Sequence, residues 1–335
     1  MTRVLFVGPG HDDFLADGLF HGLRTLLGAD AVDVPRIDHL YADHPMQRRP
    51  RLHGLGFTLA GLLPDDGDVD RDRALYRAVD GEFDLVVFAD LWRTFGPWTQ
   101  WMPQLRDARV PLAVIDGSDR VEPYPYAGLW WRKHVWWTLP RVLGRATHFK
   151  REVTPWTGWF RTYLTVPGPL AERLGATRAL RPISFSIPAS LIVDAPPAKT
   201  KDWPAHVVDR EVAPRVGAQT SYAFADAAAY HADLRASRFG ITTKKAGWDA
   251  LRHYEIAAAG AVPCFRDLDR KPPRCAPFGL DRSNTIIYRD ADDLLAQTAA
   301  LDDARYAELQ AGALQWARRS TTVERARQFL EACGL

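Results

Sequence analysis

Three short apolar runs, each closed by polar residues or glycine and followed by a stretch of helical character, constrain the fold of this 335-residue chain more than any other feature. The first, Val4-Leu5-Phe6-Val7, runs into Gly8-Pro9-Gly10, after which Phe14, Leu15, Leu19, Phe20, Leu23 and Leu26 recur at helical spacing. Asp84 to Asp90 and Leu112 to Asp116 repeat the theme, with carboxylates at the C-terminal end of each run. Apolar runs of this length without alternation belong to strands buried on both faces, and a parallel sheet covered by helices provides that burial. The expectation is an α/β protein that opens strand, glycine loop, helix.

The length allows two domains. Thr165 to Pro169 and Arg181-Pro182 punctuate the middle of the chain, so the boundary is placed near residue 185, giving domains 1–185 and 186–318 and a terminal amphipathic helix within 319–335. Beyond the boundary the expected order is helix and loop over Ala218 to Ala236, a strand at Arg238 to Ile241, a helix from Ala250 to Ala259 closed by Gly260, and a strand at Ala261 to Phe265. Asn284 precedes another strand-like run and reads as a turn residue.

Composition narrows the function. Hydrophobic residues make up 47% and charged residues 25%, which suits a folded globular chain. A net charge of +2, from 43 basic and 41 acidic residues, does not advertise a polyanionic partner. The three cysteines, Cys264, Cys275 and Cys333, form no close-spaced pair of the zinc or redox kind, and a reducing cytoplasm fits them. The opening apolar run is too short for a signal peptide or membrane span.

Aromatic residues crowd the region from Leu91 to Phe160, among them Trp92, Trp98, Trp101, Trp130, Trp131, Trp136, Trp137, Trp156 and Trp159. Two readings are open: core packing, or a wall for a sugar or lipid acceptor with membrane-surface contact assisted by Arg132, Lys133, Arg141 and Arg145.

The most informative chemistry lies between Gly240 and Pro263. Lys244, Lys245 and Gly247 stand on a loop before a helix, and a helix N-terminus favours an anion such as a diphosphate. Trp248 and Asp249 complete that loop, and Arg252 and Glu255, three apart, share a face of the helix. Such a pair is either an exposed salt bridge or a grip with a cation for phosphate and a carboxylate for sugar hydroxyls. With Ala258-Ala259-Gly260, Val262 and Pro263, the run resembles the donor-binding helix of GT-B glycosyltransferases, especially exostosin-like and spore-coat-like bacterial groups. The resemblance covers roughly Arg238 to Phe265. It implies two Rossmann-like domains facing a central cleft, with an N-terminal acceptor half, a C-terminal half that holds a nucleotide sugar, and a terminal helix that packs back on the first. It assigns Glu255 to hydroxyls and Arg252, Lys244 or Lys245 to phosphates, and implies hexosyl or pentosyl transfer to an acceptor hydroxyl without cofactor or obligatory metal. The two-glutamate pattern with a glycine-phenylalanine-glycine loop is absent, Lys244 to Ala250 standing in its place, and neither anomeric outcome is assigned.

In the N-terminal half His11 follows the first strand, at the sheet edge where open α/β folds bind ligands, and is a candidate general base. Asp116 or Asp119 would orient its ring, while Asp12 or Asp13 is expected to cap the helix. Asp13, Lys150 and Arg151 are candidate acceptor-side residues, the last two being otherwise a solvated charge run. Gly8-Pro9-Gly10 lacks the third glycine of the dinucleotide fingerprint, and neither a Walker loop nor a Gly-x-Ser-x-Gly elbow occurs. The acceptor is left open as a glycan, a small molecule or a modified DNA base, and a non-catalytic sugar- or nucleotide-binding module is the rival to an enzyme.

Overall fold

The N-terminal sheet is built from the apolar runs and has six parallel strands. They are β1 (Val4–Val7), β2 (Ala31–Val34), β3 (Leu85–Phe88), β4 (Leu112–Asp116), β5 (Ala146–Lys150) and β6 (Leu180–Pro182), in the order β2-β1-β3-β4-β5-β6. The computed structural model describes residues 2–45, 51–65, 67, 69–120, 146–154, 180–221 and 224–335. Alternate strand residues point to opposite faces. Val4, Phe6, Val87 and Ile115 therefore join α1 (Phe14–Leu27) on one side. Leu5, Val86, Phe88 and Val114 pack on the other side, with α2 (Ala74–Val79) and α3 (Phe95–Asp107). Trp98 and Trp101 of α3 are buried in that second layer, whereas Trp92 is exposed. The tryptophans from Trp130 to Trp159, the basic residues among them and Thr165 to Pro169 lie outside the described residues.

The second sheet is smaller: β7 (Phe239–Thr243), β8 (Val262–Arg266) and β9 (Ile286–Tyr288), parallel and in chain order. Its helices are α4 (Ala227–Ala236), α5 (Leu251–Ala258), α6 (Ala291–Ala299) and α7 (Asp303–Arg319). Phe239, Ile241, Val262 and Cys264 face a core with Leu294 and Leu309, while Phe265 and Ile287 face Tyr254, Ala257 and Trp316. At Gly240 a Cβ would lie 2.6 Å from the Ile256 side chain, so glycine lets α5 sit directly on β7. Among the described residues no helix is long and apolar enough to cross a membrane.

The terminal helix expected within 319–335 begins at Thr322. α7 ends at Arg319, and α8 (Thr322–Cys333) starts afresh because the Thr321 hydroxyl accepts from the Glu324 amide at 3.1 Å, a threonine cap that breaks the run. α8 lies against α1. Phe329 meets Phe149 with ring centroids 4.7 Å apart, and His21 Nδ1 lies 2.8 Å from Thr322 Oγ1. The chain leaves the first half beside this junction and returns there: the Ile187 amide donates to the Ser320 carbonyl and the Thr322 amide to the Ile187 carbonyl, both at 3.0 Å.

Gly22 sets how closely α1 and α8 approach, since a Cβ there would lie 1.9 Å from the Thr322 carbonyl oxygen. Alanine would gain about 1 kcal/mol of helix propensity, but overpacking costs about 1–3 kcal/mol and a backbone oxygen yields less readily than a side chain. A net loss of stability is expected for Gly22→Ala, seen as a lower urea midpoint; an unchanged or raised midpoint would show that the helices separate freely.

Candidate active site

The loop between β7 and α5 carries the charge. Ala250 precedes α5 with extended backbone and offers no side-chain cap, so the first amides of the helix stay available to an anion. Lys245 and Arg252 face the same cavity here, a solvent-open space of about 540 Å³ that Glu255 and Thr243 also line. Among the described residues no carboxylate forms an ion pair with either cation. Burial, and then the Arg252 charge, lower the pKa of Lys245. Burial followed by Arg252 likewise lowers that of His206 nearby. Like charges held together without a counter-charge are costly, and a dianion placed between them would relieve that cost.

Glu255 is buried and does not pair with Arg252. It accepts instead from Tyr230 Oη at 2.6 Å and from the Thr58 hydroxyl, which reaches it from the N-terminal half. The carbonyl of Phe57 lies 3.1 Å from His231 Nε2, so the segment around residues 53–58 spans the cleft at two points.

A second cavity, about 760 Å³ and open to solvent, lies at the carboxyl ends of β1, β3, β4 and β5. Strand order reverses between β1 and β3, the place where open α/β sheets form a ligand crevice. Asp12, Asp13, Asp90, Trp92, Asp119 and Arg151 line it. It adjoins the first cavity, and Phe14 and His53 line both.

The residues singled out from the sequence divide into three groups. Lys245, Arg252 and Glu255 come together in the first cavity, and Asp13, Asp119 and Arg151 in the second. Asp13 is the helix cap, its Oδ1 accepting from the Leu15 and Ala16 amides at 3.0 and 2.9 Å. The remaining residues have other surroundings. His11 borders a third cavity with Pro35, Arg36 and His39, and its Nδ1 meets the Asp12 carbonyl at 2.8 Å. Asp116 does not orient that ring: its carboxylate is engaged by Lys150 at 3.3 Å and Ser118 Oγ at 2.8 Å, beneath the cavity floor. Lys150 is fully buried, not solvated, and burial lowers its pKa against the pull of Asp116. Arg151 is buried too, bonded to the Gly117 carbonyl at 3.1 Å, to the Asp249 carbonyl at 2.8 Å and to Asp119.

Lys244 turns to the Lys245 and Ala246 carbonyls, 3.3 Å from each, and lies over the Trp248 ring. Gly247 is required by protein rather than ligand, because a Cβ there would come within 2.5 Å of both Asp119 Oδ1 and Glu152 Oε1. Glu152 Oε1 accepts from the Trp248 amide at 2.8 Å and the Asp249 amide at 3.3 Å. Asp249 accepts from the Phe185 amide at 2.7 Å and Tyr254 Oη at 3.0 Å, and burial raises its pKa to about 6. Gly247, Trp248 and Asp249 thus fasten the loop to the first half.

Sequence reasoning passed over Asp12 as more than a cap, and it missed Thr58, Asp90 and His53. Asp90 holds a left-handed backbone, φ 46°, at the end of β3 and pairs with Arg93. Its position at a strand end was legible, whereas nothing local marks Thr58 or His53. The three cysteines are free thiols, with Cys264 and Cys275 buried, and no cluster among the described residues has the composition of a metal site.

No protein-family model matches the chain, and no curated sequence matches it. Solved structures are similar over its whole length. HepE from Anabaena, in complex with UDP, covers 100% of both chains at 11% identity and a TM-score of 0.56. A glycosyltransferase from Rickettsia africae is 8% identical with a TM-score of 0.55, over 99% of this chain and 97% of its own. Sucrose-phosphate synthase from Thermosynechococcus elongatus is 12% identical with a TM-score of 0.52, over 99% and 98%. At such identities the likeness is one of fold. The chain has the GT-B architecture, two Rossmann-like halves about a cleft.

Proposed function

We propose that this chain is a glycosyltransferase that moves a sugar from a nucleotide-sugar donor to an acceptor hydroxyl. The observation that carries the reading is the cation pair Lys245 and Arg252, without a carboxylate partner among the described residues, facing a cavity at the N-terminus of α5, where no side chain caps the helix. The diphosphate would lie between them, and its negative charge, which grows as it leaves, would be met by the two side chains and the helix amides without a metal being obligatory. Glu255, with lone pairs left after Tyr230 and Thr58, accepts donor hydroxyls. The acceptor occupies the cavity beneath Trp92, in the half up to about residue 185, while the half from 186 to 318 holds the donor. A structure of HepE in complex with UDP-glucose, of the same fold, supports the donor class. The likeness of the 238–265 segment to exostosin-like and spore-coat-like enzymes, the hexosyl or pentosyl nature of the transferred group and a cytoplasmic setting belong to the same proposal.

The test is a thermal-shift series with UDP, GDP, ADP and dTDP and their glucose conjugates, since a ligand that binds only the native state raises its melting temperature by mass action. Release of sugar from a bound conjugate then separates an enzyme from a binding module, which would hold the conjugate intact. Glu255→Gln adds a second measure. The amide keeps the shape, and the Tyr230 and Thr58 hydroxyls can turn to suit it, so melting should change little. A charge-assisted hydrogen bond is worth about 1.5–3 kcal/mol, and donor affinity should fall about tenfold or more. A Glu255→Gln chain that melts much lower but transfers normally once folded would make Glu255 a strut instead.

A further inference from the structure

We propose that His53, held by the Asp12 carboxylate, is the general base that removes the acceptor proton; this rests on the glycosyl-transfer reading above. The reacting carbon must lie where donor and acceptor sites meet. Among the described residues, Phe14 and His53 are the two that border both cavities, and of these His53 alone can take a proton. Its side chain is 65% exposed, so it is open to ligand.

The ring is oriented by a group from another element. Asp12, on the loop after β1, places Oδ2 2.7 Å from His53 Nδ1 and 2.5 Å from the His53 amide nitrogen. An ionised carboxylate only accepts, so Nδ1 of the neutral ring carries the hydrogen and Nε2 carries the lone pair. The Phe14 ring, 6.0 Å away at 66°, limits tilting. His11 lacks this arrangement: its Nδ1 faces a backbone carbonyl, and it borders neither the donor nor the acceptor cavity.

In the step that follows, the acceptor hydroxyl oxygen forms a bond to the anomeric carbon. The bond from that carbon to the diphosphate oxygen breaks, and its electron pair leaves with the nucleoside diphosphate. The hydroxyl proton passes to His53 Nε2, and the Asp12 carboxylate stabilises the imidazolium. Asp12 is a positioning residue here, and a single displacement of this kind inverts the anomeric centre.

The experiment uses the full chain with UDP-, GDP-, ADP- and dTDP-α-glucose, water serving as acceptor, and follows release of nucleoside diphosphate and glucose. His53→Ala is expected to fold and bind nucleoside diphosphate but to lose about a hundredfold to ten-thousandfold in rate. Added imidazole should restore part of that loss. Asp12→Asn, whose neutral amide can hold either ring tautomer and does not offset the imidazolium charge, should lower kcat while leaving KM near the wild-type value. Proton NMR of the first glucose released should show the β anomer. Wild-type turnover with an unaffected His53→Ala, a loss confined to His11→Ala, or α-glucose as first product would each overturn the assignment while leaving transfer intact. A wild-type chain that releases glucose from none of the four donors would overturn the transfer reading and this assignment together.

Discussion

Arg252→Ala should weaken binding of the preferred nucleoside diphosphate by on the order of tenfold to a hundredfold, since a hydrogen bond to a charged group is worth about 1.5–3 kcal/mol and tenfold is about 1.4 kcal/mol. The double variant with Lys245→Ala should weaken it further. Stability should move the other way or not at all. Arg252 has no carboxylate partner among the described residues and pushes down the pKa of both Lys245 and His206, so removing it relieves repulsion between like charges. Calorimetry and melting on the same samples check both halves of this expectation. A folded Arg252→Ala chain with unchanged affinity would remove the residue from the phosphate site, and a large fall in melting temperature would make it a structural cation.

Lys150→Met is expected to have the largest effect on stability. The side chain is fully buried with Asp116 at 3.3 Å, and it is shielded from solvent by the Ser118 loop. Methionine fills similar volume but takes the Lys150 charge away from the Asp116 carboxylate, and breaking a buried pair on one side costs about 3–5 kcal/mol. Adding Asp116→Asn should recover much of that loss, because both charges are then gone and Ser118 can still bond the amide. Urea unfolding of the three variants measures this coupling. If Lys150→Met alone cost nothing, Asp116 would have to be neutral or otherwise compensated in the native protein.

How far the sequence could be read depended on whether the signal was local. Val4 to Val7, Leu85 to Phe88 and Leu112 to Asp116 were recognisable as doubly covered strands because an uninterrupted apolar run has few other uses. α5 and the strands flanking it were legible for the same reason, with Gly260 marking the helix end. β2, with Asp33 within it, and β5, with Lys150 at its end, were not, since buried charged groups satisfied by tertiary partners disguise a core strand. The start of α8 was written in Thr321-x-x-Glu324, a capping pattern not used in placing the terminal helix.

In the candidate site the cations before and within α5 were legible from helix-terminus chemistry. The roles of Lys150, Gly247 and Asp249 were not, because each is set by a partner on another element. His53 and Thr58 lie in a stretch with no periodicity at all. Their relevance comes only from where the loop is carried in three dimensions.

The paired crossings at Ile187 and Ser320 to Thr322 carry a mechanical consequence. Two chain passages bonded to each other at 3.0 Å behave as a double-stranded hinge pin, stiffer against twisting than one peptide would be. A relative rotation that preserves those bonds must turn about that pin. The contacts it would strain are the ones that join the halves: Thr58 to Glu255 and Phe57 to His231, and the bonds that tie Trp248 and Asp249 to Glu152, Arg151 and Phe185. Such hydrogen bonds contribute about 0.5–3 kcal/mol each net, the upper end for those to a carboxylate, so the set can open locally while the cores on either side stay folded. Under the proposed function, entry of a donor and departure of the spent diphosphate would proceed by parting these bonds, with neither half unfolding.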